Sequence, residues 1–188
     1  MHRRRHLSRR IALAAVASLP LGVAARPRAV AALLPQRQAE ALIRGTFINP
    51  SGVTRRLGDL TRPLLLVNLW SAWCPGCLEE LPSIHMMAAS LGPDAIDVVL
   101  LSHAMNWHAD HDYLRKAALP FRHWRFAPEV TDSLVAAAFR IEADRFALPQ
   151  TVVFAGRDRS LVWSSEGSQD WTDPDQLRLV RAWLAVAR

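Results

Sequence analysis

Cysteine is nearly absent from this chain: 188 residues contain two, Cys74 and Cys77. One pair cannot make the framework of bridges that staples small exported proteins. A structural zinc site needs four ligands, and no second Cys-x-x-Cys or suitably spaced histidine pair follows the first. Covalent haem attachment needs His directly after the second cysteine, where this chain has Leu78. The Pro-x-x-x-Thr-x-x-Cys pattern of a thiol peroxidase is missing too. Long hydrophobic runs are scarce, since the stretch from Ile11 to about Ala25 is short and alanine-rich for a membrane span. Internal repeats and low-complexity segments are absent after residue 31.

Acid is missing from one place in particular. Residues 1–31 carry seven arginines, at 3, 4, 5, 9, 10, 26 and 28, and no Asp or Glu. Removing those seven from 23 basic residues leaves 16 against 17 acidic ones, so the formal charge of +6 belongs to this leader and the body carries about −1. A body so close to neutral has no polyanion-binding footprint, which argues against nucleic acid as a partner.

The leader has the three parts of an export signal: a basic stretch through Arg10, the apolar stretch, and small-residue sites at Val23-Ala24-Ala25 or Ala29-Val30-Ala31. Ser8-Arg9-Arg10-Ile11-Ala12-Leu13 is similar to the twin-arginine motif, with the general secretory route as the other option. The expected division is an export signal over 1–31, with an uncleaved membrane anchor as its alternative, and one domain over 32–188. Export places the protein in the periplasm or an equivalent oxidising compartment, where a disulfide persists.

The two cysteines lie in Trp73-Cys74-Pro75-Gly76-Cys77, directly after the apolar run Leu64 to Trp70. That is a strand-to-helix junction. Two thiols with two residues between them can close a disulfide in the first turn of a helix, where N–H groups and the dipole stabilise a thiolate. A purely structural staple would close a loop of only a few residues and remove little chain entropy.

Along the body, Ala39 to Arg44 is expected to be a short helix, and Asn49-Pro50-Ser51-Gly52 the turn of a hairpin over Phe47 to Leu57. Leu64 to Trp70 reads as a buried strand, Cys77 to Leu91 as a helix kinked at Pro82, and Ile96 to Leu101 as a second buried strand. Trp107 to Leu119 suits a helix ending before Pro120, Phe121 to Phe126 a strand, and Thr131 to Arg140 a helix. Thr151 to Ala155 and Ser160 to Ser164 form an antiparallel hairpin about Gly156, and Pro174 to Ala187 a closing amphipathic helix capped by Asp173.

The segment Val67-Asn68-Leu69-Trp70-Ser71-Ala72-Trp73-Cys74-Pro75-Gly76-Cys77, the helix proline Pro82, and Leu148-Pro149-Gln150-Thr151 before Val152-Val153-Phe154 resemble the thioredoxin superfamily. Within it they resemble the exported, often membrane-tethered TlpA/ResA-like thiol-disulfide oxidoreductases. The resemblance covers roughly residues 45–187. It implies an α/β thioredoxin-like fold with a central mixed sheet flanked by helices, here with an N-terminal β extension. It also implies a cis bond before Pro149 beside the dithiol, exposing the Leu148 backbone for strand-like pairing with a substrate peptide.

In such a site Cys74 attacks and Cys77 resolves the mixed disulfide. Trp73, Pro75 and Gly76 shape the site, although Trp70 and Trp73 are expected first of all to pack. Pro75 suits an early helix position because it gives up an N–H that has no helical partner. Three departures stand out. Gly76 replaces the proline that relatives commonly carry before the second cysteine. Asn68 occupies the position of the buried acid in cytosolic thioredoxins, as is usual in the exported group, and an amide cannot take the Cys77 proton. No acid follows Leu101 in Ser102-His103-Ala104-Met105-Asn106, where exported members often place a glutamate, which leaves His103 as the nearest group for proton transfer.

No cofactor beyond the redox-active disulfide Cys74–Cys77, and no metal, is expected. The resemblance implies disulfide-bearing exported proteins such as apocytochromes c as substrates, reduction as the direction, and a membrane thiol-disulfide protein as electron donor. The alternative is a copper-binding assembly factor on the same fold, with His103, His108 and His111 beside the cysteines; such proteins typically separate their cysteines by three residues.

Overall fold

The run Leu64 to Trp70 has no polar face because, as strand β3 (Leu64–Trp70), it is buried at every position. It lies mid-sheet with side chains packed on both faces. The computed structural model describes residues 36–102, 106–127 and 148–188. The leader, His103 and the helix expected over Thr131 to Arg140 lie outside the described residues.

The elements in chain order are α1 (Gln36–Arg44), β1 (Thr46–Ile48), β2 (Thr54–Arg56), a 3-10 turn over Leu57–Asp59, β3, α2 (Pro75–Leu91), β4 (Ile96–Ser102), α3 (Trp107–Lys116), β5 (Arg122–Phe126), β6 (Gln150–Ala155), β7 (Ser160–Glu166) and α4 (Pro174–Ala187). The seven strands among the described residues join one sheet in the order β2-β1-β5-β4-β3-β6-β7. Strands β3, β4 and β5 run parallel, with Leu64 opposite Ile96 and Val99 opposite Arg122. The remaining pairings are antiparallel, so the sheet is mixed. The expected N-terminal extension is the β1–β2 hairpin, attached through Phe47 opposite Phe126 of β5. Its turn is held by Asn49 Oδ1, which accepts from Ser51 N and Val53 N, with Gly52 at a φ of +78°.

Alternation along the strands divides the core. Leu64, Leu66, Trp70, Val98 and Leu100 pack with Cys77, Leu81, Ile84 and Met87 of α2 and with Val180 and Leu184 of α4. Leu65, Val67, Leu69, Val99 and Leu101 face the other way, onto Ala39 and Leu42 of α1, Phe47 and Leu57. Each fully buried leucine contributes about 2 kcal/mol of apolar burial, so α2 is fastened to the sheet along much of its length.

Several boundaries shift from the sequence expectations. Helix α2 starts at Pro75, two residues before Cys77, because Cys74 caps it, and it continues as one element through the exposed Pro82 to Leu91. Helix α3 stops at Lys116 rather than Leu119, where Ala118 takes a φ of +52° ahead of Pro120. Strand β5 begins at Arg122 rather than Phe121, and β7 extends beyond Ser164 to Glu166, which pairs with Gln150. The Asp173 cap is as expected: its carboxylate accepts from Asp175 N at 2.8 Å and Gln176 N at 3.2 Å.

Candidate functional site: the dithiol at the start of helix α2

Strand β3 ends at Trp70, and Ser71 to Trp73 turn the chain into α2. Cys74 N donates to Ser71 O at 3.1 Å, which closes the turn. Cys74 is then the N-cap, with extended φ and ψ of −94° and 109°, and its Sγ accepts from Cys77 N at 3.1 Å. A sulfur held there shares the Cys77 N–H with Cys74 O and faces the positive end of the dipole, influences that favour a thiolate. Pro75 opens the helix, where its missing N–H costs nothing. Cys74 and Cys77 form a disulfide with Cα atoms 5.3 Å apart.

Both sulfurs are more enclosed than an exposed attacking thiol would suggest: Cys74 is 4% exposed and Cys77 0%. The order nevertheless places Cys74 outermost. Trp73, expected to pack, stands 59% exposed beside it, whereas Trp70 is buried as expected against Tyr113 and His123. The Leu148–Pro149 bond is cis. Pro149 borders the dithiol turn, since a Cβ placed on Gly76 would lie 3.6 Å from Pro149 Cδ and 3.5 Å from Ser168 Cβ. Leu148 is half-buried next to it, and Pro149 O accepts from Gly167 N at 2.8 Å, which fastens this segment to the end of β7.

An acid does lie near the dithiol, on α2 rather than after β4. Glu80, one turn beyond Cys77, is 1% exposed. Its Oε1 accepts from Trp171 Nε1 at 2.8 Å and its Oε2 from Asn68 Nδ2 at 3.0 Å. Burial pushes the Glu80 carboxyl up to about 7, against the opposing pull of the bonds from Trp171 and Asn68. Asn68 also donates to Thr151 Oγ1 at 2.8 Å, while its Oδ1 is buried without a partner among the described residues. The amide noted as unable to act as a base therefore holds a buried carboxyl on α2, one turn beyond Cys77. Sequence reasoning missed Glu80; the signals for it were weak, a lone amide within an apolar strand and one of two adjacent glutamates a turn beyond the second cysteine.

On α3, Asp110 is fully buried at 0% exposure. Its Oδ1 accepts from Ser71 Oγ at 2.9 Å and Ala72 N at 2.6 Å, the residues just before the dithiol. Sequence reasoning missed this contact because it spans 38 residues.

Of the histidines expected beside the cysteines in the copper alternative, His103 lies outside the described residues. His108 is exposed, and His111 stacks on Trp107 and His123 with ring centroids 5.9 and 5.7 Å away. His123 is buried, with Nε2 2.6 Å from Ser102 Oγ; burial foremost, and then the charge of His111, lower its pKa to about 3. Among the described residues no group of three or more His, Cys, Asp or Glu side chains could hold a metal ion. No helix among them is long and apolar enough to cross a membrane.

No protein-family model matches the chain. Solved structures do. A thiol:disulfide interchange protein of the thioredoxin family from Chlorobium tepidum is 18% identical, with a TM-score of 0.57 over 74% of this chain and 94% of that one. StoA from Bacillus subtilis is 14% identical, with a TM-score of 0.53 over 76% and 98%. A secreted Mycobacterium tuberculosis disulfide oxidoreductase, described as homologous to E. coli DsbE, is 22% identical, with a TM-score of 0.53 over 78% and 98%. The chain shares the thioredoxin fold of these thiol-disulfide oxidoreductases.

Proposed function

We propose that this protein is an exported, TlpA/ResA-like thiol-disulfide oxidoreductase that reduces disulfides in exported proteins by dithiol exchange. The observation that carries the reading is the Cys74–Cys77 disulfide at the N-terminus of α2, with Cys74 as the cap and Pro149 alongside. In the reduced protein the Cys74 thiolate attacks a client disulfide, forming a Cys74–client bond and releasing one client thiolate. Cys77 then gives up its proton, and its thiolate attacks Cys74 Sγ. The Cys74–Cys77 disulfide forms and the second client thiolate leaves, so two electrons pass from the protein to the client. Glu80 accepts the Cys77 proton, a task suited to a carboxyl whose pKa is about 7.

Trp73 and the backbone of Leu148 flank the attacking sulfur and receive the client chain, while Pro75 and Gly76 shape the turn. Apocytochromes c are the client class that the family likeness suggests, and a membrane thiol-disulfide protein returns the electrons. The arginine-rich leader over 1–31 carries the chain out of the cytosol or tethers it to the membrane, in keeping with the description of the mycobacterial structure as secreted.

The experiment is reduction of a protein disulfide such as insulin's, followed by turbidity with glutathione as electron source and a chelator present. The expected result is catalysis unaffected by the chelator and abolished by Cys74→Ser. Stoichiometric copper binding that depends on His108 and His111, without disulfide reduction, would favour the assembly-factor alternative instead.

A further inference from the structure

We propose that Asp110 is the positioning residue that biases the Cys74–Cys77 couple toward reducing its clients, an inference that rests on the dithiol-exchange reading above. Its carboxylate reaches from α3 to the turn that enters α2. Oδ1 accepts from Ser71 Oγ at 2.9 Å and from Ala72 N at 2.6 Å. The same turn is closed by Cys74 N on Ser71 O. Asp110 thus holds the backbone from which Cys74 caps the helix, and with it the place where the Cys74 sulfur meets the Cys77 N–H.

Both donors fall on one oxygen; Oδ2 is buried with no partner among the described residues. The charge of an ionised Asp110 is therefore compensated on one side only, in a region shielded from solvent. It opposes α2: the helix N-terminus favours a Cys74 thiolate, and a nearby negative charge disfavours it. Ala72 precedes Cys74 by two residues, at about 3.8 Å per Cα step, so the carboxylate lies at most on the order of 10 Å from the sulfur. A unit charge at that range in a partly shielded interior changes an equilibrium constant by about tenfold. Strongly oxidising dithiols owe that character to a stabilised reduced form. A destabilised thiolate has the opposite effect and makes the dithiol a better electron donor.

The test is the equilibrium of the full chain with glutathione, together with the thiol pKa of Cys74, in wild type, Asp110→Asn and Ser71→Ala. Asparagine keeps an oxygen for both donors and removes the charge. The expected result is a shift of about tenfold toward the dithiol, a potential less negative by about 30 mV, and a lower Cys74 pKa. Ser71→Ala keeps the charge and strips away one of its donors, so its potential moves the opposite way, to a more negative value. A turn that had merely loosened would move both variants in the same direction, and that result overturns the proposal. Should Asp110→Asn fail to fold, Asp110→Ser takes its place: it also removes the charge, so a less negative potential is expected, whereas a loosened turn gives a more negative one and overturns the proposal. A wild-type protein without any reversible couple refutes the proposed function itself; a wild-type couple that neither substitution moves refutes only the role of Asp110.

Discussion

Glu80 is the residue at which burial and chemistry meet. Its carboxyl loses water but gains donors from Trp171 and Asn68, and desolvation prevails, so the pKa rises to about 7. A proton acceptor poised there serves Cys77 best near neutral pH. Glu80→Gln is therefore expected to slow the resolving step by on the order of 10²-fold and to remove its pH dependence around pH 7. Stopped-flow oxidation of the reduced protein by a small disulfide, followed through tryptophan emission, measures this; an unchanged rate and pH profile would assign the proton to another group. The motif cysteines were legible in the sequence from their spacing, and Pro149 from the resemblance to the thioredoxin superfamily. Glu80 was not, since helical spacing cannot say which of Glu79 and Glu80 turns inward, and the donor Trp171 arrives 91 residues later in the chain.

Strand β4 carries a buried acid, Asp97, that joins three elements. Its Oδ1 pairs with Arg62, just before β3, at 3.3 Å, and with Arg122, at the start of β5, at 2.9 Å; its Oδ2 accepts from Arg62 N. Asp97→Ala leaves both guanidiniums without their counter-charge. Because both remain partly exposed, the cost is discounted to about 2 kcal/mol of stability. Urea unfolding checks this: a midpoint shift with an unchanged slope is expected, and no shift would show the pairs to be decorative. Most elements were legible from local pattern, as with the apolar runs of β3 and β4, the Asn49–Gly52 turn and the Asp173 cap. The start of α2 was not, because Cys74, ordinarily read as a core residue, takes the capping role of a Ser or Asp.

Across the molecule, sheet order was the least legible feature: local pattern predicts the β1–β2 hairpin but not that it docks on β5 through Phe47 and Phe126. Two buried groups on the same face of the sheet, Glu80 on Asn68 and His123 in register with Asn68 through Leu100, set opposing pH trends. His123, with a pKa near 3 against 6.5 for the unfolded chain, contributes stability that is present above pH 6.5 and lost as the pH falls through 3. Glu80, with a pKa near 7 against 4.5, contributes stability that is full below pH 4.5 and lost as the pH rises through 7. The two slopes offset between pH 4.5 and 6.5. Wild type is expected to show nearly constant stability there, whereas Glu80→Gln gains stability with rising pH; denaturant midpoints across that interval measure both. In the proposed exchange Cys74 joins a client through sulfur and Cys77 releases it. Mass spectrometry of Cys77→Ala recovered from its native compartment tests this most directly: client peptides disulfide-linked to Cys74 and freed by reductant are the predicted result. Recovery of no linked client, from a protein whose wild-type pair also fails to cycle with glutathione, would contradict it.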